Sequence, residues 1–218
     1  MDYELLCAKV IATTRLTGNF IRKESINFSS SSIELKGLND LVSYVDKIHG
    51  IPTYAISIAL YEHGKPIIGV VYEINRSEMF SAYKGGGAFL NGKPIHVSKR
   101  AALSECLLAT GFPYYQFDKQ AQYMKLFASL MQQCHGLRRI GSAAVDLAYV
   151  ACGRFDAFFE YNLNSWDVAA GAFLVQEAGG SVMNFTGGDE FLQTREILAS
   201  NGLINTEVLA TMQDHFNS

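Results

Sequence analysis

Asp167 is the residue whose type and position most clearly suggest chemistry. It lies immediately before the apolar run 168–178, whose composition predicts a helix, and Trp166 is expected to support the turn by packing. Most carboxylates at such a position serve as N-caps. A carboxylate is also a hard oxygen ligand for Mg²⁺, and the positive end of a helix favours a phosphate group. The sequence therefore leaves two interpretations of Asp167, an N-cap and a metal ligand at an anion site.

Two other segments could contribute to such a site. Gly141, Ser142 and Ala143 open a predicted helix over residues 143–152, where backbone N–H groups can hold an oxyanion or a hydroxyl group. Ser142 also fits an ordinary N-cap. Glu160 ends an aromatic-rich predicted strand, and a carboxylate there could bind the hydroxyl groups of a polyol. A solvated strand end is the alternative interpretation of Glu160.

Other kinds of site find no support in the sequence. Gly85-Gly86-Gly87 is not followed by the Gly-Lys-Ser/Thr of a phosphate loop and is interpreted as a turn that needs positive φ. The five histidines contain no i,i+4 pair and the four cysteines no Cys-x-x-Cys pair, so zinc is not indicated. No Gly-x-Ser-x-Gly segment suggests a serine hydrolase.

The composition is that of an ordinary globular protein. The 218 residues are 49% hydrophobic and 18% charged, with a formal net charge of −3, which argues against disorder. No run of Lys or Arg exceeds two residues, so the basic stripe of a nucleic-acid-binding protein is missing. The chain begins with acidic residues and has no apolar run of membrane-spanning length. We therefore predict a cytoplasmic protein with no nucleic-acid and no membrane partner.

Two differently patterned halves of the chain must position these residues. In the first half, a helix over residues 3–23 and a shorter one around Asp40 and Asp46 precede short strands, with Asn91-Gly92 as a hairpin signal. This pattern favours an antiparallel meander. In the second half strands alternate with helices, which is typical of an α/β arrangement. On spacing alone, Asp40 and Asp46 are interpreted as a solvated helix face.

The predicted elements can be given as ranges. The first half has predicted strands over 54–60, 67–72 and 79–83; the second has predicted strands over 137–140, 155–160, 181–185 and 197–200 and predicted helices over 119–133, 143–152, 168–178 and the last residues.

A family resemblance extends over nearly the whole chain. The segments that carry it, in order, are Lys36 and residues 40–47, 57–60, 69–72, 84–92, 141–160, 164–171, 177–180 and 186–188. The Trp166-Asp167 motif and the long block before it are specific. On these segments the chain resembles the inositol monophosphatase family.

The resemblance implies a fold and an assembly. The expected fold is α/β (α+β), a layered αβαβα sandwich with an antiparallel-rich first sheet and a mixed second sheet. We expect two halves of one compact unit, with the N-terminal helices and the antiparallel sheet in residues 1–136 and the α/β half in residues 137–218. Family members are commonly homodimers, and lithium inhibits many of them.

The resemblance also implies a function. Family members hydrolyse inositol monophosphate or a similar sugar or polyol phosphate with Mg²⁺ and a metal-activated water. Asp167 would be a metal ligand that also touches a substrate hydroxyl, and Asp46 would belong to a weaker, outer metal site. Glu160 would bind inositol hydroxyl groups, with residues 141–143 lining the same pocket.

The chain departs from the family pattern between Lys47 and Ile48. There the family has a Gly-Glu-Glu segment and then Asp-Pro-x-Asp-Gly-Thr-Thr-Asn-Phe, which supply a glutamate, two aspartates and a threonine for metal binding and water activation. Hydrolysis with two metal ions needs several converging carboxylates. The chain as printed is therefore predicted not to be a competent phosphatase, and its catalytic residues stay unknown.

Three explanations of this gap stay open. The preferred one is that the natural protein contains the segment and that it is missing from this sequence because it was disordered. Clustered carboxylates repel one another without metal, and a loop that carries them could be mobile. A natural deletion and an engineered deletion are the other two explanations.

Two other functions compete with inositol monophosphate hydrolysis. One is hydrolysis of 3′-phosphoadenosine 5′-phosphate or fructose 1,6-bisphosphate by another member of the same lithium-sensitive superfamily; the segment 141–144 and Glu160 favour inositol-type substrates. The other is a non-catalytic relative that binds a partner protein or RNA machinery. The missing carboxylates fit that role, whereas the missing basic stripe counts against RNA.

Overall fold

The computed structural model describes residues 1–27, 53–113 and 118–216. Its first sheet is a five-stranded meander in which every neighbouring pair is antiparallel. Asn91 and Gly92, with φ of 50° and 78°, form the predicted hairpin turn. The strands in chain order are β1 (Ala55–Glu62), β2 (Lys65–Glu73), β3 (Glu78–Tyr83), β4 (Gly87–Leu90) and β5 (Lys93–Ile95).

The second sheet is mixed. Its strands are β6 (Leu107–Thr110), β7 (Gly136–Arg138), β8 (Ala157–Tyr161), β9 (Ser181–Met183) and β10 (Glu196–Ser200). Their order across the sheet is β7, β6, β8, β10, β9. β6 runs parallel to both β7 and β8, whereas β10 is antiparallel to β8 and β9.

Helices lie on both sides of each sheet. They are α1 (Tyr3–Asn27), α2 (Gln120–Gln133), α3 (Ala143–Ala151), α4 (Ser165–Glu177), α5 (Phe191–Thr194) and α6 (Asn205–Phe216), with a short 3-10 helix at Leu103–Glu105. α3 is buried over residues 144–151 and α4 over residues 168–175. A helix that is apolar all round belongs inside a protein.

Three hydrophobic clusters define the layers. Cys7 of α1 packs against Tyr72 on the outer face of the first sheet. The largest cluster joins α3 and α4 to the facing sides of both sheets, with Phe80 and Phe158 fully buried. α2 and α6 cover the far side of the second sheet in a cluster around Tyr123. The order helix, sheet, helices, sheet, helices confirms the predicted αβαβα sandwich with an antiparallel first sheet and a mixed second sheet.

Some predicted boundaries were wrong. α4 begins three residues earlier than predicted, at Ser165, and α1 continues to Asn27. The sequence analysis missed β6, whose apolar residues directly follow the 3-10 helix, and the single-turn helix α5. The predicted second helix around Asp40 and Asp46 and the join after Lys47 lie outside the described residues.

The change from the first sheet to the second falls between β5 and β6. β6 and α2 therefore contribute to the second sheet's layers although they precede residue 137. The division into residues 1–136 and 137–218 stays a prediction. In the described ranges, none of the helices has the length and apolar character needed to cross a membrane.

The triple-glycine segment is a turn, as predicted. Gly85 and Gly87 have φ of 74° and 82°. Their backbone N–H groups donate hydrogen bonds, each 3.0 Å long, to the two carboxylate oxygens of Glu177 at the end of α4. The anion at this turn is thus the protein's own side chain, and the contact ties the first sheet to α4.

We predict that Glu177→Ala lowers the free energy of unfolding by about 1–3 kcal/mol, because two backbone donors lose a charged acceptor. Urea unfolding measures this change. The exposed Glu24 on α1 provides the matched control Glu24→Ala, for which we expect a change within about 0.5 kcal/mol. If the two substitutions lower the free energy of unfolding equally, the Glu177 hydrogen bonds to the triple-glycine turn do not stabilise the fold as proposed.

Candidate functional site

A cavity of about 750 Å³ lies where the N-termini of α3 and α4 meet the ends of β6 and β8. All the predicted site residues in the described chain line it: Gly141, Ser142, Ala143, Glu160 and Asp167. Asp46, the other predicted metal ligand, lies outside the described residues. Side chains that are far apart in sequence therefore converge on one cavity.

Asp167 is the third residue of α4, and Asn164 occupies the N-cap position. One carboxylate oxygen of Asp167, Oδ2, accepts a hydrogen bond of 2.9 Å from the backbone N–H of Asn164. Half-burial raises the pKa of Asp167, and hydrogen bonds from Asn164 partly offset this. Asp167 is therefore not the N-cap, and that interpretation was wrong; it supports the start of the helix as the third residue and lines the cavity. Its role as a metal ligand stays a prediction.

The segment before α4 is held in place by Arg195. Its guanidinium group donates to the carbonyl oxygens of Asn162 and Leu163 at 3.1 and 3.0 Å, and to Oδ1 of Asn164 at 3.1 Å. Arg195 also lines the cavity. It was not identified from sequence, where it stands alone between polar residues.

Trp166 does not support the turn by packing, and that prediction was wrong. Its side chain is 70% exposed, and its backbone carbonyl accepts a hydrogen bond of 3.2 Å from Ser57 Oγ. The polar contact of its backbone, and not the indole ring, connects this turn to the first sheet.

Glu160 lies on β8, between β6 and β10. Only 8% of the residue is exposed, so the structure contradicts the alternative of a solvated strand end. Burial raises the pKa of Glu160 to about 8; Arg139 acts to lower it, and Asp167 raises it further. A buried carboxyl group with this pKa is available as both donor and acceptor near neutral pH, which suits contact with hydroxyl groups.

Gly111 makes room for the Glu160 carboxyl group. A Cβ atom added at Gly111 would overlap that carboxyl group. Behind it, Tyr123 donates a hydrogen bond of 2.8 Å to the carbonyl oxygen of Gly111, and Thr110 Oγ1 donates one of 2.8 Å to the carbonyl oxygen of Phe159. The end of β6 is thereby fixed against β8. Nothing in the sequence distinguishes this glycine from one in an ordinary loop.

Ser142 occupies the N-cap position of α3, with φ −142° and ψ 103°, and its side chain makes no capping hydrogen bond. The residue before it, Gly141, has φ of 102°. A Cβ atom at that position would lie 2.7 Å from Nη1 of Arg139. The conformation of residue 141 therefore requires glycine. The absence of a side chain there leaves room for the guanidinium group of Arg139 at the cavity wall. The sequence analysis did not identify Arg139 as a site residue.

Magnesium fits the described residues only in part. Within residues 1–27, 53–113 and 118–216, no group of three or more His, Cys, Asp or Glu side chains is placed to hold a metal ion. One oxygen of Asp167 is already engaged by Asn164. The described chain therefore supplies Asp167 as a single candidate ligand and not a complete metal site, so no catalytic step is assigned to a metal here.

Known proteins with the same arrangement identify the family. The model of the inositol monophosphatase family matches residues 42–216. The chain belongs to this family. The Pseudomonas aeruginosa protein named Nus factor SuhB is 49% identical over 170 residues, which cover 77% of this chain and 63% of the relative. The chain thus spans less than two thirds of that relative's length.

Solved structures of family members agree with the fold. The extragenic suppressor protein suhB of Bartonella henselae superposes with a TM-score of 0.75 at 40% identity, over 78% of this chain and 66% of that one. The inositol monophosphatase of Anabaena superposes with a TM-score of 0.73 at 37% identity, over 79% and 69%. The family fold predicted from the sequence is confirmed.

We predict that Gly111→Ala displaces the Glu160 carboxyl group and lowers the free energy of unfolding by about 1–3 kcal/mol, as overpacking does. Thermal unfolding measures the loss, and a crystal structure of the variant shows the displacement. Gly136 on β7 is the matched control, because a Cβ atom there would come no closer than 3.3 Å to a neighbouring side chain, whereas one at Gly111 would overlap the Glu160 carboxyl group. A Gly111→Ala variant as stable as Gly136→Ala would contradict this role.

We also predict a pH-dependent effect of Glu160→Gln. Because the pKa of Glu160 is raised from 4.5 to about 8, the folded protein binds this proton more tightly than the unfolded chain. Ionisation therefore costs stability, a cost that is absent below pH 4.5 and complete above pH 8. The variant should match the wild type near pH 4.5 and exceed it by a few kcal/mol at pH 8.

Chemical denaturation at both pH values measures this difference. Glu105 is exposed, and Glu105→Gln serves as the matched control for the same substitution at the protein surface. A stability difference for Glu160→Gln that stays constant with pH would contradict the raised pKa.

Proposed function

We propose that this chain recognises a polyol monophosphate such as inositol monophosphate, and that together with the family's carboxylate segment it hydrolyses that ester in a Mg²⁺-dependent reaction. The convergence of residues 141–143, Glu160 and Asp167 on one cavity carries the proposal. Membership of the inositol monophosphatase family supports the phosphatase class.

The cavity has chemically different walls, which fit the two ends of such a molecule. The N-termini of α3 and α4 both open onto it, and the positive ends of helices favour a phosphate group. The buried carboxyl group of Glu160 brings no positive charge to its side of the cavity and suits hydroxyl groups. A phosphate at the N-terminus of α4 and a polyol ring beside Glu160 and residues 141–143 fit this arrangement.

Mg²⁺ would supply the charge neutralisation and the activated water that phosphate ester hydrolysis requires. Asp167 is the residue in the described chain that would contact it. The remaining ligands correspond to family residues between Lys47 and Ile48 that this sequence lacks, and to Asp46. Binding of the polyol is thus a property of the described chain, whereas hydrolysis depends on the missing segment.

Other substrates of the superfamily remain competitors. A bisphosphate such as fructose 1,6-bisphosphate or 3′-phosphoadenosine 5′-phosphate needs a second cationic contact. Arg139 and Arg195 line the cavity, but Arg195 is engaged with the segment before α4. The buried Glu160 opposes a second phosphate, which favours a monophosphate.

A second candidate is a binding role without catalysis. It is favoured by the missing carboxylates and by the name Nus factor SuhB of a relative 49% identical to this chain. That name suggests contact with the transcription machinery and stands against our expectation of no nucleic-acid partner. The homodimer, the cytoplasmic location and lithium sensitivity stay predictions.

We predict that the printed chain releases no phosphate from myo-inositol 1-phosphate with Mg²⁺, because it lacks most of the metal ligands. A second chain, with the family's segment inserted between Lys47 and Ile48, should release phosphate, and Asp167→Asn in that chain should lower kcat by at least about a hundredfold. A colorimetric phosphate assay with fructose 1,6-bisphosphate and 3′-phosphoadenosine 5′-phosphate as competing substrates measures both results.

A restored chain that folds but hydrolyses none of these esters would contradict the phosphatase proposal and favour the binding role. Unchanged turnover of Asp167→Asn would instead contradict the role of Asp167 as a metal ligand and restrict it to supporting the helix. The intact mass of the protein from its native cells decides the origin of the gap, since a value near 24.0 kDa would show a true deletion.

A further inference from the structure

Asp146 is a buried acid at the cavity that the proposed function does not use. It lies in the first turn of α3, where its backbone N–H donates a hydrogen bond of 2.9 Å to the carbonyl oxygen of Ser142. Its side chain lines the same cavity as Glu160. Only 1% of the residue is exposed.

The carboxyl group of Asp146 is incompletely paired. In the described part of the chain, its Oδ1 is the buried side-chain oxygen or nitrogen that has no hydrogen-bond partner. Leaving a buried polar atom unpaired is costly, and native proteins rarely do so without a reason. Since Asp146 is one of the residues that line the cavity, a group bound there that comes up against Oδ1 can provide the missing partner.

The surroundings of Asp146 indicate which chemical group that is. Burial raises the pKa of Asp146 to about 8; Glu160 raises it further, and Arg139 acts to lower it. Two carboxyl groups that disfavour each other's ionisation also disfavour an anionic ligand group beside them. A hydroxyl group carries no charge and both donates and accepts hydrogen bonds, so it suits this pair.

We propose that Asp146 is a specificity-determining residue whose Oδ1 accepts a hydrogen bond from a ring hydroxyl group of the polyol phosphate. Asp146 and Glu160 then form a pair of buried carboxyl groups that contact different hydroxyl groups of one ring. This inference rests on the proposed function and deepens it. It selects ligands with several ring hydroxyl groups over simple alkyl phosphates, which carry none.

Substitutions at Asp146 test the contact in the full 218-residue chain. Asp146→Leu removes the acceptor and should weaken the binding of myo-inositol 1-phosphate by about tenfold or more, because a ligand hydroxyl group is left unpaired. Asp146→Asn keeps an oxygen acceptor and should stay within about threefold of the wild type. Isothermal titration calorimetry measures both, and the exposed Asp214 on α6 provides the control variants Asp214→Leu and Asp214→Asn.

A second measurement does not depend on how the variants fold. In the wild-type chain, the ¹³C chemical shift of the Asp146 carboxyl carbon should move when myo-inositol 1-phosphate is added, and that of Asp214 should not. Thermal unfolding is recorded in parallel, and both Asp146 variants should retain the wild-type Tm or exceed it.

The outcomes separate the two proposals. If Asp146→Leu binds myo-inositol 1-phosphate as tightly as the wild type does, and the Asp146 resonance does not move, the proposed role of Asp146 is wrong. The proposed function is then unaffected. A wild-type chain that does not bind myo-inositol 1-phosphate overturns the proposed function and this inference with it. Both proposals are supported if Asp146→Leu weakens the binding of myo-inositol 1-phosphate, Asp146→Asn retains an affinity close to that of the wild type, and the Asp146 resonance moves when this compound is added.

Discussion

The close packing of α4 between the two sheets is the constraint on which the site depends. Two glycines permit it. A Cβ atom at Gly69 of β2 would lie 2.8 Å from the carbonyl oxygen of Ala170, and one at Gly171 would lie 2.5 Å from Cβ of Leu147 on α3. Contacts this short leave no space for a side chain, so the backbone of α4 approaches both the first sheet and α3 directly.

This packing fixes the position of the helix N-termini. α4 is held at its far end by the Glu177 contacts with the triple-glycine turn and at its near end by Arg195 and Ser57. A helix fixed at both ends cannot slide along its axis. The carboxyl group of Asp167 is therefore held at the cavity by contacts that are spread over both sheets.

The same arrangement explains why acidic side chains are buried beside the cavity. β8 is covered by helices on both faces, so that only 8% of Glu160 is exposed, and Asp146 is buried on α3. Two such groups destabilise the folded protein when they ionise. Their retention at a cavity is better explained by contact with a ligand than by a contribution to folding.

The sequence predicts much of the fold because local chemistry decides it. Asn91-Gly92 and the triple-glycine segment form the expected turns, and the alternation of elements distinguishes the two sheets. The start of α4 was misplaced because Ser165 and Trp166 are polar or exposed positions that do not continue the apolar run. β6 was missed because a strand of four residues that is buried between neighbours carries no alternating pattern.

The sequence indicates candidate site residues where a helix start or a strand end marks them, as at Asp167, Glu160 and residues 141–143, and the family resemblance assigns them roles. Asp146 lies within an apolar run in which every residue from 144 to 151 is buried, so periodicity gives no sign that one position faces a cavity. Gly111 and Arg139 contact the site through tertiary approach, which local sequence cannot reveal. These residues become visible when β6, β8 and α3 are brought together.

The missing segment and the described cavity divide the expected activity into two parts. Glu160 and Asp146, which we propose to contact the polyol ring, come from β8 and α3, whereas the ligands expected to hold metal, apart from Asp167, belong to the first half of the family sequence. The described lining of the cavity comes from both sheets, because Ala55 and Ser57 of β1 contribute to it together with Glu160 of β8 and the N-termini of α3 and α4. Under the proposed function, binding of a polyol and hydrolysis of its phosphate ester are therefore separable, because the buried carboxyl groups that would contact hydroxyl groups lie in the described chain and most of the metal ligands do not.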